Sequence, residues 1–100
     1  MKKNYLLHAR AHHRPGVLAR VTGMFYRRAL EIRALSVGEQ ESDGLVSILV
    51  RVAGEAPDIE RLTLSIRNLV DVRYAEFEPF PLTERLDARY SWPESVPRRT

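Results

Sequence analysis

The order in which strand-like and helix-like segments follow one another is the feature that most constrains the fold of this chain. Apolar residues alternate with period two in four segments, as in strands with one buried face, and recur at helical spacing in two others. The predicted strands are residues 5–12, 32–41, 45–52 and 70–77, and the predicted helices are residues 15–28 and a segment opened by Pro57 and Asp58. The predicted order is therefore βαββαβ.

Few topologies are compatible with this order, because crossover connections in a sheet are right-handed. The arrangement that it favours is ferredoxin-like and belongs to the α+β class: a four-stranded antiparallel sheet with both helices on one face. The turn Ser42-Asp43-Gly44 supports a hairpin between the second and third strands, since Asp and Gly tolerate the φ values that a tight turn demands.

The alternation also assigns the two faces of the predicted sheet. The core side takes the larger set of apolar positions from the first and third strands: Tyr5, Leu7, Ala9, Ala11, Val46, Ile48, Val50 and Val52. The opposite face would show Leu6, His8, Leu45, Ser47 and Leu49. Three leucines on a free face predict an exposed apolar patch, and such patches mark contact sites, so we expect a dimer or a larger partner.

One hundred residues fit a single domain, which we place at residues 1–78. Residues 79–100 form a proline-containing C-terminal tail, in which four prolines prevent long regular structure and Tyr90 and Trp92 offer packing surfaces. The chain has no cysteine, which excludes disulfides and fits the reducing cytoplasm. No apolar run approaches the roughly 18 residues of a membrane span, so no membrane segment is predicted.

The charge of the chain is unevenly distributed along its length. The formal net charge is +3, but residues 1–33 hold eight Lys/Arg and one acid, whereas residues 34–100 hold eight Lys/Arg and twelve acids. The basic N-terminal segment, residues 1–33, can attract anions or nucleic acid, bind an acidic protein partner, or remain solvated. The sequence lacks an aromatic-basic signature of nucleic-acid binding, which favours the last two interpretations.

No arrangement of residues in the sequence predicts catalysis or a metal site. His8 and His12 are four apart on a predicted strand, hence about 13 Å apart, which is too far to share one metal ion. His13 with His12 would need distant ligands. The sequence has no cysteine, no G-x-S-x-G nucleophile motif and no Walker-type phosphate loop.

The junction between the first strand and the first helix, from His13 to Leu18, is the most informative segment for binding. The first turn of a helix leaves N–H groups unpaired, and its dipole favours negative charge. Gly16 lets a ligand approach the backbone closely, which would make a carboxylate or phosphate site. Pro15-Gly16 is also ordinary turn chemistry at a helix start, so the residues alone leave both interpretations open.

Two motifs of the chain resemble those of a known family. The run from Arg14 to Leu18 leads into LARVTGMFYRRALEIRAL, which resembles the pattern L-x-R-V-x-G-x-F-x-x-R-G-x-N-I-x-S-L of the ACT domain in acetolactate synthase (acetohydroxyacid synthase) small subunits. The segment from Asn68 to Val72, NLVDV, resembles that family's K-L-V-D-V. The resemblance covers about residues 5 to 78.

The resemblance implies a homodimer of side-by-side ACT domains that binds a branched-chain amino acid, usually valine, between two copies. The ligand's carboxylate would meet backbone N–H groups near Gly16, Val17 and Leu18. Its polar groups would also meet His13 and, from the second copy, Glu31, where the family has asparagines. Glu31 offers an ammonium group a stronger, charge-assisted partner than an amide does. Ala29 stands where the family has glycine.

The resemblance also implies a function: a non-catalytic regulatory subunit that activates a separate catalytic large subunit in branched-chain amino-acid biosynthesis. Thiamine diphosphate, FAD and Mg would belong to that large subunit, and none is expected in this chain. One alternative is a free-standing, amino-acid-binding ACT protein without an enzyme partner. Another is a ferredoxin-like nucleic-acid-binding module, which is disfavoured because Tyr5 is the only aromatic residue on the first and third strands.

Overall fold

The computed structural model describes residues 2–80 of the chain, and its elements follow the predicted βαββαβ order. They are β1 (Lys3–His12), α1 (Val17–Arg27), β2 (Glu31–Val37), β3 (Leu45–Gly54), α2 (Ala56–Arg67) and β4 (Val72–Pro79). No helix within this range has the length and apolar character needed to span a membrane. The part of the predicted tail that carries Tyr90 and Trp92 lies outside the described residues.

The four strands form one antiparallel sheet in the order β2-β3-β1-β4. The central strands β1 and β3 pair over ten residues, from Lys3 opposite Gly54 to His12 opposite Leu45. Both helices contribute to the same buried cluster as one face of the sheet, through residues such as Phe25 on α1 and Leu62 on α2. The predicted ferredoxin-like α+β fold is therefore confirmed.

The predicted core positions of β1 and β3 are all buried, each with 6% or less of its surface exposed. In α1 the buried side chains are Val17, Val21 and Phe25, which recur every fourth residue on one face of the helix, whereas Leu18 lies off that face and is 37% exposed. The helix begins at Val17 rather than at the predicted residue 15, because Gly16 has a non-helical backbone. Leu18 lies at the rim of the site described below.

The expectation of an exposed leucine patch on the helix-free face of the sheet is wrong. Leu6 and Leu49 do lie on that face, but they are only 1% and 8% exposed, and Phe80 packs against them. The N–H of Phe80 donates to the carbonyl of Asn4 at 2.9 Å, and the Arg51 guanidinium lies 4.4 Å from the centre of the Phe80 ring. The sequence interpretation placed Phe80 in the tail and so missed this cover.

Several predicted strand boundaries also differ from the structure by two residues or more, among them the end of β2 and the start of β4. β2 ends at Val37 instead of residue 41, after which two isolated backbone hydrogen bonds continue toward the turn, from the Gly38 N–H to Ser47 and from the Glu41 N–H to Leu45. β4 begins at Val72 instead of residue 70, because the Val72 N–H closes a turn onto the carbonyl of Leu69. Val70 is consequently 87% exposed in that turn.

The C-terminus of α1 is closed by a Schellman motif that places Ala29 in a left-handed conformation. The N–H of Leu30 donates to the carbonyl of Phe25 at 3.0 Å, and the N–H of Ala29 donates to that of Tyr26 at 3.1 Å. Ala29 has φ +56°, a region that glycine occupies without the steric cost that a Cβ imposes. The chain therefore carries a strained residue where the resembling family has glycine.

Replacing Ala29 with glycine is expected to stabilise the fold by about 1 kcal/mol, because relief of the left-handed strain outweighs the added entropy of the unfolded chain. Urea denaturation of the variant and the parent chain measures this difference. A lower midpoint for Ala29→Gly would contradict the assignment of strain to this residue.

Candidate ligand-binding site

A cleft of about 220 Å³ lies where the start of α1 meets the ends of β2 and β3. Its wall consists of one continuous loop-to-helix segment and three aliphatic side chains from the sheet: His13, Arg14, Pro15, Gly16, Val17, Leu18, Val37, Val46 and Ile48. Val46 and Ile48 are buried and form an apolar floor, whereas Leu18 and Val37 form a half-exposed rim. The cleft thus joins polar backbone to an aliphatic surface.

The polar part of the cleft is the first turn of α1. Gly16 occupies the N-cap with φ +87°, no side chain caps the helix, and the first turn contains no acidic residue. The Val17 N–H donates to the Arg14 carbonyl at 3.2 Å, and the Arg20 N–H donates to the Gly16 carbonyl at 3.0 Å. The N–H groups of Leu18 and Ala19 have no intrahelical acceptor, and the helix dipole favours an anion there.

Asp71, in the connection between α2 and β4, holds this turn in place. Its carboxylate, in a residue only 8% exposed, receives Arg14 Nε on one oxygen and Arg20 Nη2 on the other, each at 3.0 Å. Its backbone carbonyl accepts the His12 N–H at 2.8 Å. Because Arg14 and Arg20 flank Gly16 in sequence, one carboxylate fixes both sides of the Gly16 turn.

The sequence interpretation missed this role of Asp71. It included Asp71 in a strand predicted to begin at residue 70, whereas Asp71 precedes β4 and its carboxylate contacts Arg14 of the β1–α1 loop. A usable signal was present: Arg14 and Arg20 flank the glycine turn, and the first thirty residues contain no acid to neutralise them. The NLVDV motif therefore contributes to the site through its aspartate.

Four of the five predicted site residues, His13, Gly16, Val17 and Leu18, gather at the cleft. The fifth, Glu31, does not line the cleft of its own copy. It begins β2 at the far end from Val37, where it lies opposite Ala53 and forms an ion pair with Arg33 at 3.5 Å. The sequence prediction assigned Glu31 to the site of a second copy, which a single chain does not test.

The three histidines occupy separate environments. His8 contacts Ser47 Oγ at 3.4 Å and packs edge-on against Tyr74, and His12 Nε2 accepts a hydrogen bond from Arg73 Nε at 3.0 Å. His13 lines the cleft. Across residues 2–80, no three potential ligand side chains cluster in a way that could hold a metal ion.

Comparison with known protein families gives a match over most of the fold. The family described as AHAS small subunit-like ACT domain matches residues 7–74. The chain is 33% identical over 82 residues to a probable acetolactate synthase small subunit of Methanothermobacter thermautotrophicus, covering 81% of this chain and 49% of that protein. It is 39% identical over 61 residues to the acetolactate synthase small subunit of Bacillus subtilis, covering 59% of this chain and 35% of that protein.

Solved structures agree with this match. The acetolactate synthase small subunit of Thermotoga maritima aligns with a TM-score of 0.67 and 32% identity, over 82% of this chain and 50% of that one. The ACT domain from GTP pyrophosphokinase of Chlorobium tepidum aligns with a TM-score of 0.66 and 14% identity, over 78% of this chain and all of that one, which shows the shared fold. The chain spans about half the length of the first of these relatives, and less of others.

Proposed function

Because this chain belongs to the family of AHAS small subunit-like ACT domains, we propose that it is a non-catalytic regulatory subunit of acetolactate synthase. In this proposal it binds and activates a catalytic large subunit, which carries the thiamine diphosphate, FAD and Mg. The observation that carries the regulatory part is the cleft at the start of α1, where unpaired N–H groups adjoin an aliphatic floor.

The effector in this proposal is a branched-chain amino acid such as valine. Its carboxylate would accept hydrogen bonds from the N–H groups of Leu18 and Ala19, at the positive end of the α1 dipole. Its branched side chain would lie on the apolar surface of Val46 and Ile48, where burial of methyl groups adds affinity. A larger ligand would have to pass the rim formed by Leu18 and Val37.

The proposal also requires a homodimer that brings Glu31 of a second copy to the cleft. β2 is an edge strand with Glu31 at one end and Val37, on the cleft rim, at the other, about 20 Å away at the usual rise of a strand. Antiparallel pairing of β2 with β2 of a second copy would set Glu31 of one chain beside Val37 of the other. The resulting interface is isologous, as in most symmetric dimers.

The two edges of the sheet differ in a way that favours β2 as the pairing edge. On β4, Arg67 Nε donates to the carbonyl of Ala75 at 2.7 Å, so a side chain already occupies part of that edge. On the β2 side, Val37 and Leu18 expose about two fifths of their surface next to the cleft. Pairing through β2 would bury both side chains.

Co-expression with the catalytic subunit from the same organism tests the function. We expect the two chains to co-purify, the turnover of the catalytic subunit to rise, and valine to reduce that stimulated turnover.

Val37→Asp should weaken both the dimer and the response to valine, because it places a charge at the pairing edge. Val70→Asp, at a more exposed position outside that edge, is the matched control and should change neither.

A chain that neither binds nor stimulates the catalytic subunit would contradict the proposal. Binding of valine by the isolated chain, without any effect on that subunit, would instead indicate the free-standing amino-acid-binding alternative.

A further inference from the structure

A groove of about 360 Å³ lies on the opposite edge of the sheet from β2, between the end of α2 and β4. It is lined by Arg67, Arg73, Tyr74, Ala75 and Glu76. Its distinguishing feature is that two of its five lining residues are arginines, one from the helix and one from the strand. The residues of this groove play no part in the cleft at the start of α1.

Both guanidinium groups are held in place through their Nε atoms. Arg67 Nε donates to the carbonyl of Ala75 at 2.7 Å, and Arg73 Nε donates to His12 Nε2 at 3.0 Å. Arg73 is also the extra residue where the pairing of β1 with β4 shifts register, because Tyr74 and Val72 pair with adjacent residues of β1. Such bulges re-aim a side chain, here toward His12 of the neighbouring strand β1.

Neither Arg67 nor Arg73 forms an ion pair with a carboxylate in the range 2–80, whereas five other arginines do: Arg10, Arg14, Arg20, Arg33 and Arg61. Arg27, Arg28 and Arg51 also lack an ion pair within this range, but they do not line the groove. One acid, Glu76, lies on the groove wall with the two arginines, so the charged residues of the wall carry a net charge of +1.

We propose that this groove is a binding site for a small dianion, whose oxygens are shared between the outer nitrogens of Arg67 and Arg73. A planar guanidinium matches two oxygens of a phosphoryl or carboxylate group, and such charge-assisted bonds are roughly twice as strong as neutral ones. Because both side chains are fixed through Nε, little rotamer entropy remains to be lost when the ligand binds. The site is independent of the function proposed above.

Calorimetric titration of the wild-type chain with inorganic phosphate and, separately, with succinate tests this site, in mildly alkaline buffer of constant ionic strength. At least one of the two dianions should bind with one-to-one stoichiometry. Binding of phosphate alone identifies a phosphoryl ligand, and binding of succinate alone identifies a dicarboxylate. Arg67→Gln and Arg73→Gln should each weaken binding about tenfold or more, the loss of one charge-assisted contact.

Arg61→Gln is the matched control, since Arg61 is an exposed arginine of α2 that pairs with Asp58 outside the groove. It should leave the affinity unchanged. Arg73→Lys keeps the charge but removes the planar guanidinium, so its affinity for the dianion should lie between that of the wild type and that of Arg73→Gln. The circular dichroism spectrum of this variant shows whether its fold is intact. Failure of both dianions to bind, or an equal loss in Arg61→Gln, would overturn the proposal.

Discussion

Replacing Asp71 with asparagine is expected to destabilise the fold by about 2 kcal/mol, which corresponds to roughly 10 °C in Tm for a domain of this size. The carboxylate is nearly buried and receives a charge-assisted hydrogen bond from Arg14 and another from Arg20. The expected loss of folding free energy is smaller than the roughly 3–5 kcal/mol lost when a fully buried ion pair is broken. The reason is that both arginine side chains are at least half exposed, so water can solvate their guanidinium groups in the variant. Urea denaturation and thermal melting measure the change.

The matched control for this variant is Glu41→Gln. Glu41 accepts a hydrogen bond from Arg10 at 2.7 Å, but its side chain is 62% exposed, and exposed ion pairs contribute at most about 1 kcal/mol. Glu41→Gln should therefore lose much less stability than Asp71→Asn. Equal losses in the two variants would mean that Asp71 does not hold the Gly16 turn.

The second large effect is expected at Gly16, where alanine should cost about 1–2 kcal/mol and abolish amino-acid binding. Gly16 has φ +87°, where a Cβ is strained whatever the surrounding space. The new Cβ would make only an ordinary contact with Arg20 Nη1, at 3.4 Å, so the cost comes from the backbone and not from crowding. Relief of this backbone strain would shift the first turn of α1, so the N–H groups proposed to bind the carboxylate would move.

Gly23→Ala provides a control of opposite sign within the same helix. Gly23 lies inside α1, and a Cβ there would meet only the far end of the Arg27 side chain, at 3.6 Å. Alanine is a better helix former than glycine by about 1 kcal/mol, so this variant should be stabilised and should bind amino acids normally. Stabilisation by both substitutions would contradict the assigned backbone of Gly16.

The parts of the fold that the sequence predicted correctly are those that local periodicity determines. The alternation in β1 and β3 identifies the buried face directly, since a shift of one residue would exchange the two faces. Boundaries were less accurate: β4 starts two residues late because a turn at Leu69 closes first, and α1 starts at Val17 because Gly16 is not helical. The cover over Leu6 depends on Phe80, 74 positions along the chain.

The candidate site likewise has parts that the sequence predicts and parts that it does not. The Gly16 turn was predictable, because Pro15-Gly16 before a helical stripe is a local signal of a helix start. The contacts of Asp71 with Arg14 and Arg20 were not, because they join residues more than fifty positions apart. In the proposed dimer, the position of Glu31 relative to the cleft depends on how the second copy packs, which neither the periodicity of one chain nor its fold determines.

The most direct test of the central claim, that a small amino acid binds through its carboxylate at the start of α1, is an NMR titration of the ¹⁵N-labelled chain with valine. The account predicts saturable shifts that are largest at the amides of Leu18 and Ala19 and that disappear in Gly16→Ala. Shifts confined to other parts of the chain, or no saturable shift at those two amides, would contradict it.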